Sequence, residues 1–229
     1  MIVALTLLAT PTVSGASDPS PTTLLAEAIH NAESAGWVHE VNTTYLNGSF
    51  TGTMVDDIGS GEGRQITKFA NGGVDTLIAF DTSKRLYERA NALGLSDYQI
   101  TTDVTRYANK WMMETPFDSG YAYNALGTTL KSDFSLYTLA SPVTLGPVTT
   151  IRGQEVRAIR GKAPPGGDIP NAAVTVYITT TGPIRPFSIS EKTKSETFTE
   201  YWSRWGMPVQ LSVPSPTVPY PTGQGATTA

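Results

Sequence analysis

The chain has 229 residues, 16 of them basic and 20 acidic, for a formal charge of −4, with no cysteine and two histidines. That length suits one β-rich domain with its own core, and so balanced a charge leaves no basic footprint for nucleic acid. The missing thiols exclude disulfides, thiolate zinc sites and a cysteine nucleophile, and His30 and His39 are too few for most histidine-built metal sites.

Ile2 to Ala9 is a short apolar run followed by the small residues Ser14-Gly15-Ala16, so residues 1–16 are expected to be an export signal, and 17–22 (SDPSPT) a polar spacer. Nothing else approaches the roughly 20 apolar residues of a membrane span, and the protein is expected in the cell envelope or outside the cell. Leu25, Ala28, Ile29 and Ala32 recur at helical spacing, which predicts a helix that stops at Ala35-Gly36. Its neighbour His30 reads as a surface residue.

From Trp37 to Leu46 the chain alternates, with Trp37, His39, Val41 and Tyr45 on one side and Glu40, Asn42 and Thr44 on the other. Asn47-Gly48 is a strong hairpin signal that returns the chain through Ser49 to Asp56. Gly59-Ser60-Gly61-Glu62-Gly63 lacks the spacing of a phosphate loop and reads as a turn. Strands are expected at Arg64 to Ala70, Val74 to Phe80, Arg85 to Arg89 and Lys110 to Glu114, with short helices or turns between Asn91 and Asn109. Tyr121 to Leu126 and Thr128 to Leu139 read as helical, with Leu126, Leu130 and Phe134 at helical spacing. Val143 to Arg152 and Glu155 to Gly161 are strands about Gly153. A meander follows from Ala173 to Pro214, whose last strand is expected at Gln210 to Val213. The segment 215–229 is rich in Pro, Thr and Gly and is expected to be a flexible tail. This order fits an α+β fold in which a strongly curved antiparallel sheet wraps around a few helices.

Four short motifs arrive in order: Ala-Gly-Trp-Val-His before the first strand, Tyr107-Ala108-Asn109-Lys110-Trp111, Gly182-Pro183-Ile184-Arg185-Pro186, and Trp202-Ser203-Arg204-Trp205-Gly206-Met207-Pro208-Val209. Over residues 23–214 the chain resembles the LppX/LprG type of bacterial envelope lipoprotein, within the LolA-like superfamily. The resemblance implies a half-open β-barrel with helices in its mouth, whose interior holds acyl chains of lipids or lipid-modified molecules. Members usually carry a cysteine after a Leu-Ser-Gly or similar box, whereas here Val13-Ser14-Gly15 is followed by Ala16, so no lipid anchor is expected on this sequence, which reads as a secreted relative or one whose anchor was lost or replaced.

The residues on the more apolar strand faces, Val41, Phe50, Met54, Ile78, Phe80, Trp111, Met113, Val174, Val176, Ile178, Phe187 and Ile189, are the candidate lining of such a cavity. No hydrolase elbow, zincin, phosphate-loop or EF-hand pattern is present, and neither catalysis nor a cofactor or metal is expected. Asp56-Asp57 and Glu191 with Glu196 are the close acid pairs, read as solvated strand ends, and His39 reads as a hydrogen-bonded core histidine. The expected function is non-enzymatic binding of the acyl chains of a lipid, lipoglycan or lipoprotein, with a scaffold or sensor for another envelope protein as the alternative.

Overall fold

The computed structural model describes residues 19–97, 100–165 and 171–221. The expected export signal lies outside them.

Ser20 opens the first helix by accepting a hydrogen bond from the Thr23 amide at 3.1 Å, and Pro21 follows in the first turn, where a missing donor costs nothing. The helix, α1 (Pro21–Glu33), stops before Gly36, whose φ of 81° a side chain would oppose. Strands β1 (Trp37–Leu46) and β2 (Ser49–Gly59) are joined by Asn47 and Gly48, both at positive φ, as a tight hairpin requires. β3 (Glu62–Phe69), β4 (Val74–Phe80) and β5 (Arg85–Ala90) continue antiparallel. The short helices α2 (Ala92–Asp97) and α3 (Val104–Tyr107) then lead to β6 (Trp111–Glu114), which pairs with β5. Helices α4 (Tyr121–Asn124) and α5 (Leu130–Phe134) cross to β7 (Ala140–Ile151), from which β8 (Gln154–Lys162), β9 (Ala173–Thr179), β10 (Pro186–Lys192) and β11 (Glu196–Ser203) form the second series.

β11 returns to pair with β1, so the two series fuse into one curved sheet. The twelve strands lie in the order β12-β6-β5-β4-β3-β2-β1-β11-β10-β9-β8-β7, and because β7 and β12 are the ends of that order the sheet stays open. The fold is therefore the α+β, half-open arrangement expected, with one departure: β12 (Thr217–Pro219) runs parallel to β6. Its residues fall in the segment expected to be a flexible tail. There they cover the backbone groups that β6 would otherwise present as a free edge, and Tyr220 follows them into a cluster with Leu95, Ile100, Tyr107 and Met112.

No strand forms at Gln210 to Val213, contrary to the sequence reading. β1 already has β2 on one side and β11 on the other, so a further strand after β11 has no edge there to join. The chain instead turns through Arg204 and Gly206, both at positive φ, and the Gly206 amide donates to the Trp37 carbonyl at 2.8 Å.

The main core lies between one half of the concave face and two helices. Leu24, Leu25, Ala28 and Ala32 of α1 and Leu130 and Phe134 of α5 pack on Ile159, Val174, Val176, Ile178, Ile189 and Trp202. Phe134 is the wedge, with ring centroids 5.8 Å from Trp202 and 6.0 Å from Trp205. Each such aromatic pair adds roughly 1 kcal/mol to the area it buries.

Candidate functional site

Opposed residues of an antiparallel ladder share a face, so the strand registers show what lines the concave side. One row across it reads Glu88, Leu77, Gln65, Asp56, Glu40 and Trp202, from β5 to β11. The next reads Asp75, Thr67, Met54, Asn42, Glu200, Ile189, Val176 and Ile159. The concave face is thus divided. Its β8–β10 half is apolar and filled by α1 and α5, whereas its β1–β5 half, with Glu200 of β11, is strongly acidic.

Over the acidic half lies a cavity of about 330 Å³, lined by Glu40, Asp56, Asp75, Glu88, Asp133 and Glu200, by Asn42, Gln65 and Tyr137, and by apolar groups including Met54, Leu77 and Phe198. Asp133 reaches it from α5, whose first turn is fixed by a reciprocal Thr129–Ser132 cap. Gly63 makes this approach possible, because a Cβ there would come within 2.3 Å of the Thr128 carbonyl oxygen. No Lys, Arg or His is among the lining residues.

Glu40 is 1 % exposed, Asp56 1 %, Asp133 5 % and Glu200 2 %. The Tyr137 hydroxyl lies 3.0 Å from both Glu200 oxygens and 3.4 Å from Asp133 Oδ1, yet it has one proton to donate. Burial, followed by the nearby Asp133, Glu200 and Asp56 charges, raises the Glu40 carboxyl well above the ordinary glutamate range. Burial and the Glu200 charge do the same to Asp56 and to Asp133. Glu200 is pushed up to about 7 by burial, opposed by hydrogen bonds from Tyr137 and Glu40. At the other end of the row, burial and then the Asp75 and Glu114 charges raise Glu88.

A second concavity is more apolar. A groove of about 690 Å³ runs along one end of the sheet, lined by Trp37, Phe80 and Val213 with the β2–β3 and β4–β5 turns. Gly59 lets the Trp37 indole lie across β2, since a Cβ there would meet the ring at 2.8 Å. The Gly206–Trp37 hydrogen bond holds the segment that brings Val213 to the rim.

The structure separates the residues expected to line one interior. Val174, Val176, Ile178 and Ile189 are together on the concave side, inside the core formed with α1 and α5, and Met54 lines the acidic cavity. Val41, Ile78, Phe80, Trp111, Met113 and Phe187 fall on the opposite face, where Phe80 borders the groove and packs edge-on to Tyr87, and Phe187 packs edge-on to Tyr201. Phe50 sits against Tyr45 at the exposed tip of the first hairpin.

Asp56 and Asp57, read from sequence as solvated strand-end acids, are both buried, because β2 lies between β1 and β3 rather than at a rim. His39 carries the hydrogen bond expected of it, between Nδ1 and Asp57 Oδ1 at 2.8 Å, but it is half-buried on the face opposite the core and is no core histidine. Sequence reasoning missed the acidic cavity. The signal that could have found it is the run of acids at alternate positions of successive strands: Glu40, Asp56, Asp75 and Glu88.

No family model matches the chain, and no curated protein does. Solved structures do. LprF from Mycobacterium bovis is 14 % identical with a TM-score of 0.56, over 85 % of this chain and 96 % of that one. The Mycobacterium tuberculosis lipoprotein LppX is 16 % identical with a TM-score of 0.53, over 84 % of this chain and all, 100 %, of that one. Among the described residues no helix is long and apolar enough to cross a membrane. The chain has the open, curved-sheet fold of LprF and LppX.

Proposed function

We propose that the protein is a non-enzymatic, exported envelope protein that binds the acyl chains of a lipid or lipid-modified molecule, as a carrier. The observation that carries this reading is the groove at the sheet end, whose volume of about 690 Å³ is in the range of small-ligand sites and whose walls include two aromatic rings. The fold held in common with LprF and the lipoprotein LppX supports it. The apolar half of the concave face is a poorer place for a chain, because α1 and α5 already fill it. Burying a methylene contributes about 0.8 kcal/mol, so a dozen in the groove give on the order of 10 kcal/mol before the cost of ordering the chain.

Protein purified from its native envelope should yield acyl lipids in an organic extract read by mass spectrometry. A fluorescent fatty-acyl probe should bind, and Trp37→Ser combined with Phe80→Ser should weaken it tenfold or more. Equal probe affinity in that folded variant, with no extractable lipid from the parent, refutes the groove reading.

One feature favours a second reading, a scaffold for another envelope protein. Tyr45, Leu46 and Phe50 are all exposed at the tip of the β1–β2 hairpin, where they form a small apolar patch. Loss of a partner on Tyr45→Ser with Phe50→Ser, with probe binding intact, would assign the tip to that role.

A further inference from the structure

We propose that the acidic cavity on the concave face is a binding site for a hard divalent cation, held by Glu40 of β1, Asp133 of α5 and Glu200 of β11, with Asp56 of β2 beside them. This is independent of the acyl-chain reading, which concerns the groove at the sheet end.

One carboxylate oxygen from each of Glu40, Asp133 and Glu200 can be chosen so that all three lie within 4.8 Å of one another. Calcium–oxygen distances run from about 2.3 to 2.6 Å, so two ligands on opposite sides of one ion stand roughly 4.6 to 5.2 Å apart. The three oxygens therefore fit around a single ion without rearrangement of the strands. They come from three elements that only the fold brings together, and α5 is positioned over the sheet by the close Gly63–Thr128 contact.

The second observation is that the site has polar atoms with nothing to bond. Among the described residues Glu40 Oε1, Asp133 Oδ2 and Asp56 Oδ1 are buried and lack a hydrogen-bond partner. Asn42, 4 % exposed, uses its Oδ1 to accept from the Met54 amide at 3.3 Å, which fixes the amide orientation and leaves Nδ2 unpartnered at the cavity wall. Buried groups of this kind are normally satisfied by protein, water or ion. A cation would take the carboxylate oxygens, and Asn42 Nδ2 would donate to a water on that cation.

The donor set fixes the class of ion. All the ligands are carboxylate oxygens, with no imidazole or thiolate in the lining, which suits calcium, magnesium or manganese and disfavours zinc and copper. The cavity of about 330 Å³ has room for the ion and several waters at roughly 30 Å³ each, so the remaining coordination positions need not come from protein. The lining contains no basic side chain to neutralise these acids in a cation's place.

The test is thermal unfolding of chelator-stripped protein with calcium, magnesium or manganese chloride added at constant ionic strength. One of these should raise Tm by roughly 5 to 10 °C once it exceeds its Kd about 100-fold. Glu40→Gln combined with Glu200→Gln should abolish the rise, whereas Glu27→Gln, on the exposed face of α1, should keep it. Terbium luminescence gives a readout that needs no variant. Tyr137 and Trp202, whose rings are 5.2 Å apart beside the site, should sensitise one bound terbium ion per chain, and calcium should displace it. No Tm rise with any of the three ions, an equal rise in the Glu40→Gln, Glu200→Gln protein, or no sensitised terbium emission would each overturn the proposal.

Discussion

Asp57 shows how one carboxyl is lowered a single residue away from Asp56, whose carboxyl burial raises. Burial pushes its carboxyl up, yet His39 at 2.8 Å and the Arg64 guanidinium on its other oxygen bring it below the ordinary aspartate value. Because the folded value is lowered, the stabilisation is present above an unfolded value near 3.8 and is lost as pH falls through the folded one. Arg64 is about a third exposed, so water screens part of the attraction. Asp57→Asn should therefore cost about 1 to 2 kcal/mol at pH 7 in urea unfolding, and the gap from the parent should narrow as pH falls below 3.8 through the lowered folded value. A gap that stays constant as the parent is acidified would mean the loss is one of packing. Asp56, the preceding residue, points to the other face, where the cavity lining offers no basic side chain. The alternation of a strand is enough to give two neighbouring acids opposite electrostatics.

At the level of elements, the segment after β11 is where composition misleads. A Pro-rich stretch cannot supply a regular ladder, but three residues suffice to cover the short edge of β6, and Tyr220 then gains a buried site. Tyr220→Ala should cost about 3 kcal/mol and lower Tm by roughly 6 to 12 °C, as should removal of residues 215–229. An unchanged Tm in the truncated protein would show that β12 contributes nothing to stability.

Other elements were readable for clear physical reasons. The stop of α1 at Gly36, the Asn47-Gly48 hairpin and the Gly153 turn each depend on local backbone chemistry, so sequence shows them directly, whereas the Ser20-Pro21 start falls in the stretch read as a spacer and shows itself only through the Ser20 cap. The inward face of β1 was not readable. Trp37, His39 and Val41 form the more apolar side, but Val38, Glu40 and Asn42 are the buried one. Alternation separates two faces without saying which is inside, and the usual rule of choosing the apolar side fails when a cavity is lined with acids. The same error moved Ile78, Phe80, Trp111 and Met113 to the wrong side in the expected cavity, while Val174, Val176, Ile178 and Ile189 stayed inside because β9 and β10 face an apolar helix pair.

For the whole molecule, the acidic cavity sets how stability depends on pH. Burial raises Glu40, Asp56, Glu88, Asp133 and Glu200 in the folded state, whereas in the unfolded chain each returns to its ordinary value. Between the two values the folded state holds protons that the unfolded state has released, so stability falls as pH rises. For Glu200 the window runs from 4.5 to about 7, which at 1.36 kcal/mol per unit amounts to about 3 kcal/mol. In chelator, the stability read from urea unfolding should therefore be highest near or below about pH 4 and drop by several kcal/mol toward pH 8, against the ordinary trend in which paired surface carboxylates favour neutral pH. Glu200→Gln carries no titrating group, so it should be more stable than the parent at pH 8 and show a shallower slope between pH 5 and 7. If the parent is as stable at pH 8 as at pH 5 without divalent ions, the acids are solvated in the folded protein and the closed cavity does not describe it in solution.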